Sequence, residues 1–142
     1  MTMMTKAFDA NTEAQTARTG LAQGSIVLTL RGEVAVEDLR AGDKVITRDR
    51  GAQPLRRVTQ YRATSSHIAK DSLGANRPER DMRIAANQPV LNRGESTTIT
   101  TARHLADTLR GQVEQSQLYR LCFDAEHIIY ANGLELTTAR AT

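Results

Sequence analysis

Residues 118–138 read LYRLCFDAEHIIYANGLELTT. Two short strand-like stretches flank Ala131-Asn132-Gly133, and His127 sits five residues before that Asn. Gly133 supplies the backbone freedom that a sharply bent strand pair needs at its turn.

The same rhythm of short strands and turns extends upstream. Ile26-Val27-Leu28-Thr29-Leu30 is closed by Arg31-Gly32 and answered by Glu33-Val34-Ala35-Val36, a hairpin signal. A tight turn over 37–43, with Gly42 able to take positive φ, leads into a strand at 44–47. Residues 49–52 form another turn, and 54–62 read as one long strand with a basic outer face. The polar stretch 63–80, with only Ile68 and Leu73 to bury, is expected to be a long loop. Short strands follow at 82–84, 89–91 and 97–100. Residues 101–109 predict a helix, because Leu105 and Leu109 share one face at i, i+4. The chain is therefore expected to be all-β with one short helix: a flexible arm over 1–19 and a single domain over 20–142.

Composition narrows the classes. The 142 residues suit one domain, and 39% hydrophobic content without tryptophan calls for a core of Leu, Ile, Val and Ala. The lone Cys122 excludes an internal disulfide framework and reads as a small buried hydrophobe. No apolar stretch has signal-peptide or membrane-spanning length, so a cytoplasmic location is the expectation. Nineteen basic residues against sixteen acidic give a net charge of +3. Arg48, Arg50, Arg56, Arg57 and Arg62 can form a basic stripe, but Tyr61 is its only interleaved aromatic, which disfavours nucleic acid. His67 and His104 lack partners at ligand spacing, and neither a metal nor a cofactor is expected.

The 118–138 run resembles the C-terminal blocks of the Hint family, the fold shared by inteins and hedgehog autoprocessing domains. A second block, from Gly20 through Gly24-Ser25-Ile26 to Leu39-Arg40-Ala41-Gly42-Asp43-Lys44-Val45, resembles its N-terminal part. The match covers about 20–138 and implies a horseshoe of curved antiparallel strands whose ends meet at a central cleft. The chain is similar to the bacterial hedgehog/intein-like subfamily.

That resemblance also implies where chemistry would lie. Autoprocessing begins when a Cys or Ser at the first domain position attacks the preceding carbonyl; here that position is Gly20, which has nothing to attack with. The family's Thr-x-x-His block places Ala85 at the Thr and Gln88 at the His, and an amide transfers no proton at neutral pH. The terminal His-Asn pair of splicing inteins corresponds to Thr137 and Thr138, and threonine forms no succinimide. Arg120 replaces the aspartate that often precedes the later histidine by seven residues. His127 is the one catalytic-type position retained.

The expectation is thus a Hint-fold chain that has lost autocatalysis and serves as a binding or structural module. Its partner would be another protein that no short motif identifies, and open edge strands would also permit a homodimer. A second reading keeps residual self-cleavage through Thr19 or Ser25 with His127. A third makes the chain a weak adaptor for polyanions.

Overall fold

The computed structural model describes residues 19–93, 97–104 and 113–140. The strands among them are β1 (Leu21–Ala22), β2 (Ile26–Thr29), β3 (Gly32–Ala35), β4 (Lys44–Thr47), β5 (Gly51–Pro54), β6 (Arg57–Ile68), β7 (Met82–Ala85), β8 (Pro89–Arg93), β9 (Thr97–Thr101), β10 (Val113–Phe123), β11 (Ile128–Ala131), β12 (Leu134–Thr137) and β13 (Ala139–Arg140). One sheet runs β1-β7-β6-β10-β13, with β1 also pairing β10. The other runs β3-β2-β4-β11-β12-β8-β9, with β5 on β4 and an added β2–β11 pairing. All pairings are antiparallel except β10 with β13. No helix of the described residues is long and apolar enough to cross a membrane.

Alternation sets the inner faces. On β2, Val27 and Thr29 are buried while their neighbours are half-buried, and Ile129 and Ala131 repeat this on β11. Val27, Val45, Leu55, Ile68, Ile84, Leu118, Phe123, Ile129, Leu134 and Leu136 are among the fully enclosed side chains of the core. Each such side chain contributes roughly 1.5–3 kcal/mol relative to exposure. Glu135 interrupts the buried run of β12, and Arg48 Nη1 meets its carboxylate at 3.2 Å. The 26–36 hairpin has the expected register, from Ile26 opposite Ala35 to Thr29 opposite Gly32. Gly24, Gly32, Gly42 and Gly133 all have φ between 84° and 101°.

Three expectations are corrected. The loop does not begin at residue 63: β6 continues to Ile68, between β7 and β10. Ladder bonds on both sides override the polar composition, and Ser65 Oγ is satisfied by the Glu114 carbonyl and by Ser116 Oγ at 2.7 Å. Residues 54–62 are not one strand, because the chain crosses between the sheets at Leu55-Arg56. Leu55 is fully buried and exchanges backbone bonds with Gly42 and Asp43, while the Arg56 N–H turns to the Cys122 carbonyl in the other sheet. In the expected helix, Thr101 belongs to β9 and only 102–104 are helical among the described residues; the 105–109 part lies outside them. The 1–18 part of the expected arm also lies outside, whereas Thr19 is buried.

Residues 69–81 now form the loop, and it lies against the β11–β12 turn. The Glu79 N–H donates to the Asn132 carbonyl, and a Cβ on Gly133 would come within 2.7 Å of the Asn76 carbonyl oxygen. Glycine at 133 therefore serves two needs, positive φ and a close backbone approach.

Candidate functional site

β1 is only two residues long, yet it is pinned from both sides. Leu21 lies opposite Tyr119 of β10 and Ile84 of β7, so the chain enters the fold at a seam. The peptide immediately before β1 is gripped at both ends. Tyr61 Oη donates to the Thr19 carbonyl at 2.7 Å, and the Gly20 N–H donates to Gln88 Oε1 at 2.9 Å. The next carbonyl, of Gly20, accepts from the Ala85 N–H at 3.0 Å.

Gln88 is 1% exposed and closes the turn between β7 and β8, its own N–H donating to the Ala85 carbonyl. Its Nε2 donates to the Pro89 and Thr137 carbonyls, each at 2.9 Å. The reversed amide would set NH₂ against an N–H and an oxygen against two carbonyls, so these contacts fix its orientation. One side chain thus ties the entry of the domain to its exit.

The exit is locked by a second set of bonds. Thr138 Oγ1 accepts from the His127 N–H at 3.0 Å and donates to the His127 carbonyl, which also receives the Thr138 N–H. The His127 ring turns away to Asp49, Nδ1 to Oδ2 at 3.0 Å, and meets Phe123 edge-on with centroids 5.7 Å apart. Burial pushes the Asp49 carboxyl up, but the Ile128 N–H and the His127 ring outweigh it and hold Asp49 below the usual range. Asp49 is then an acceptor, which places the shared proton on Nδ1.

Thr19, Gly20, Gln88, Thr137 and Thr138 line one cavity of about 10 Å³, room for a single water. Ala85 joins them through its backbone. These five positions therefore converge, although they are drawn from opposite ends and the middle of the chain, whereas His127 reaches them only through its backbone bonds to Thr138. Ser25 does not join them: its hydroxyl donates to the Ala22 carbonyl at 2.8 Å and fastens the turn before β2.

Two members had no sequence signal as site residues. Tyr61 reads as a strand aromatic, yet burial pushes its hydroxyl up to about 12 against the opposing pull of Arg120. It stays a proton donor to the Thr19 carbonyl. Asp49 reads as a turn residue, and 78 positions separate it from His127.

Gly20 has no side chain, and the space one would need is taken. A Cβ built there falls inside contact distance of Tyr61 Oη, 3.2 Å from Tyr61 Cζ and 3.3 Å from Leu118 Cβ. Elsewhere, Arg56 makes a two-pronged bond to Asp124 and Arg48 pairs with Glu135, so two arginines of the expected stripe face acids. His67 is on β6 and not in a loop, 3.5 Å from Asp81. Among the described residues no three His, Cys, Asp or Glu cluster with metal-site geometry. Cys122 is fully buried.

The family model described as Hint domain matches residues 19–141. A DnaB intein from Synechocystis sp. aligns with a TM-score of 0.58 at 12% identity, over 85% of this chain and 99% of its own. A splice-inactive variant of the AceL NrdHF class 3 split intein gives 0.56 at 12%, over 87% and 99%. A bacterial intein-like domain from Clostridium thermocellum gives 0.54 at 16%, over 85% and 98%. At such identities the likeness concerns the fold alone. None of the curated proteins matches the chain.

Proposed function

This chain belongs to the Hint domain family, and we propose that it uses the fold as a binding or structural module after losing autoprocessing. The observation that carries this reading is Tyr61. Its ring and hydroxyl occupy the volume that a nucleophile's β-carbon at position 20 would need, while the hydroxyl holds the Thr19 carbonyl. Gln88 supports the same reading: it accepts the Gly20 N–H but has no proton to give to a leaving amine. The Thr19–Gly20 peptide is fastened and has no attacking group at residue 20. His127, paired with Asp49, is a scaffold residue in this account.

Residual cleavage through a hydroxyl is the competing reading, and one observation favours it: Thr19 Oγ1 is buried without a hydrogen-bond partner. Ser25 is weaker, since its hydroxyl is engaged at Ala22. Intact mass spectra separate the readings. Protein held for days with dithiothreitol, which intercepts any activated ester, is expected to keep one unchanged mass. A discrete cut next to Thr19 that vanishes in Thr19→Val or His127→Ala would overturn the module reading.

A further inference from the structure

Among the described residues, β3, β5, β9 and β13 each pair on one side only. Such a strand presents a row of N–H and C=O groups without ladder partners, and it recruits another strand unless something blunts it. Three of the four are blunted. β3 starts on Gly32 and carries Glu33, β5 runs from Gly51 to Pro54, which has no N–H, and β13 is two residues long and ends on Arg140. β9 has no such device: its five residues hold no charge, no proline and no glycine. It lies against β8 from Thr97 opposite Arg93 to Thr101 opposite Pro89, and its other side meets no described strand.

The sequence of β9 selects the occupant of that open side. Thr97-Thr98-Ile99-Thr100-Thr101 reads the same in both directions. An antiparallel copy related by a two-fold axis at Ile99 therefore sets Ile99 opposite Ile99, Thr98 opposite Thr100 and Thr97 opposite Thr101. All five residues are β-branched, the class that strands favour, and the axis brings no like charges together along the strand. Ile99 is 68% exposed in the single chain, and on the axis it leaves water against its own copy. A shift of one residue would set each isoleucine against a threonine. A foreign strand could use the same backbone groups but would owe nothing to the palindrome.

We propose that β9 is a homodimerisation edge, at which two copies of this chain join their sheets through antiparallel β9–β9 pairing centred on Ile99. One strand pair of this length covers less than a standard protein interface, so the dimer is weak, with a Kd on the order of 100 µM. The inference goes beyond the module reading. A cut beside Thr19, read by intact mass, would sink that reading and not the pairing of β9.

Sedimentation velocity of the full chain from about 10 µM to about 1 mM is expected to show monomer giving way to dimer and to nothing larger, because a two-fold interface closes on itself. Ile99 is exposed, so Ile99→Lys and Ile99→Glu keep the fold, which circular dichroism checks. Each variant alone sets like charges on the axis and should weaken association by about tenfold or more. An equimolar mixture of the two should associate more tightly than either alone, because opposite charges then face each other. Hydrogen exchange should slow at the β9 amides that point away from β8 when the parent protein is concentrated. A monomer at every concentration, association unchanged in both variants, no gain on mixing them, growth beyond a dimer, or β9 exchange that ignores concentration would each overturn the proposal.

Discussion

Gly20→Ala tests whether Tyr61 fills the place of a lost side chain. The new methyl would collide with the Tyr61 hydroxyl and sit 3.2–3.3 Å from Tyr61 Cζ and Leu118 Cβ. Overpacking of this kind costs about 1–3 kcal/mol. Displacing the hydroxyl from the Thr19 carbonyl forfeits about 1 kcal/mol more. Stiffening the unfolded chain returns roughly 0.4–1 kcal/mol, since Gly20 does not have positive φ. The net expectation is a loss of about 1–3.5 kcal/mol. Tyr61→Phe alone should cost about 1 kcal/mol, the hydrogen bond without the clash. In the double variant the methyl meets only carbon, and neighbours need yield by a few tenths of an ångström. The pair should therefore cost less than the sum of the singles by at least about 1 kcal/mol. Urea unfolding followed by circular dichroism at unchanged slope measures all four corners of the cycle. Additivity within about 0.5 kcal/mol, or a neutral Gly20→Ala, would refute the claim that Tyr61 occupies the nucleophile's space.

Two further outcomes follow from the same cluster. Gln88→Leu keeps the volume but leaves the Gly20 N–H and the Pro89 and Thr137 carbonyls facing methyl groups, so stability should fall by at least about 2 kcal/mol in the same urea assay; a loss under about 1 kcal/mol would mean that water replaces the amide. The Tyr61 hydroxyl, raised to about 12 in the folded chain, adds no pH dependence below the ordinary tyrosine range near 10. As pH climbs from there towards 12 the unfolded chain releases its proton first, so folding stability falls. Absorbance at 295 nm should show one late tyrosine step that Tyr61→Phe removes, and the lack of any late step in the parent protein would contradict the burial argument.

Much of the fold was legible because it is written locally. The 26–36 hairpin, the Gly42 turn and the Asn132-Gly133 turn each depend on residues within a few positions of one another, and each lies where its turn chemistry put it. The misreadings share one cause. Ser65, Ser66 and His67 look like loop residues in isolation, but the strand persists because β7 and β10 supply ladder partners on both sides. Leu55 looks like part of a continuous strand, yet its burial at the crossing between the sheets breaks the run. At the site, the resemblance pointed to Gly20, Ala85, Gln88, Thr137 and Thr138, and it offered nothing about Tyr61 or Asp49.

The sequence by itself determined that this chain is an all-β Hint domain and that a glycine stands at position 20 and a glutamine at position 88. Identity at a position is enough for that, since glycine has no side chain and an amide no labile proton. Only the tertiary structure decided what packs around these two residues. Tyr61 and Gln88 reach the Thr19–Gly20 peptide across 42 and 68 residues of chain. Such contacts have no period and no spacing in sequence; they exist because two curved sheets close on each other and bring distant strands within hydrogen-bond distance.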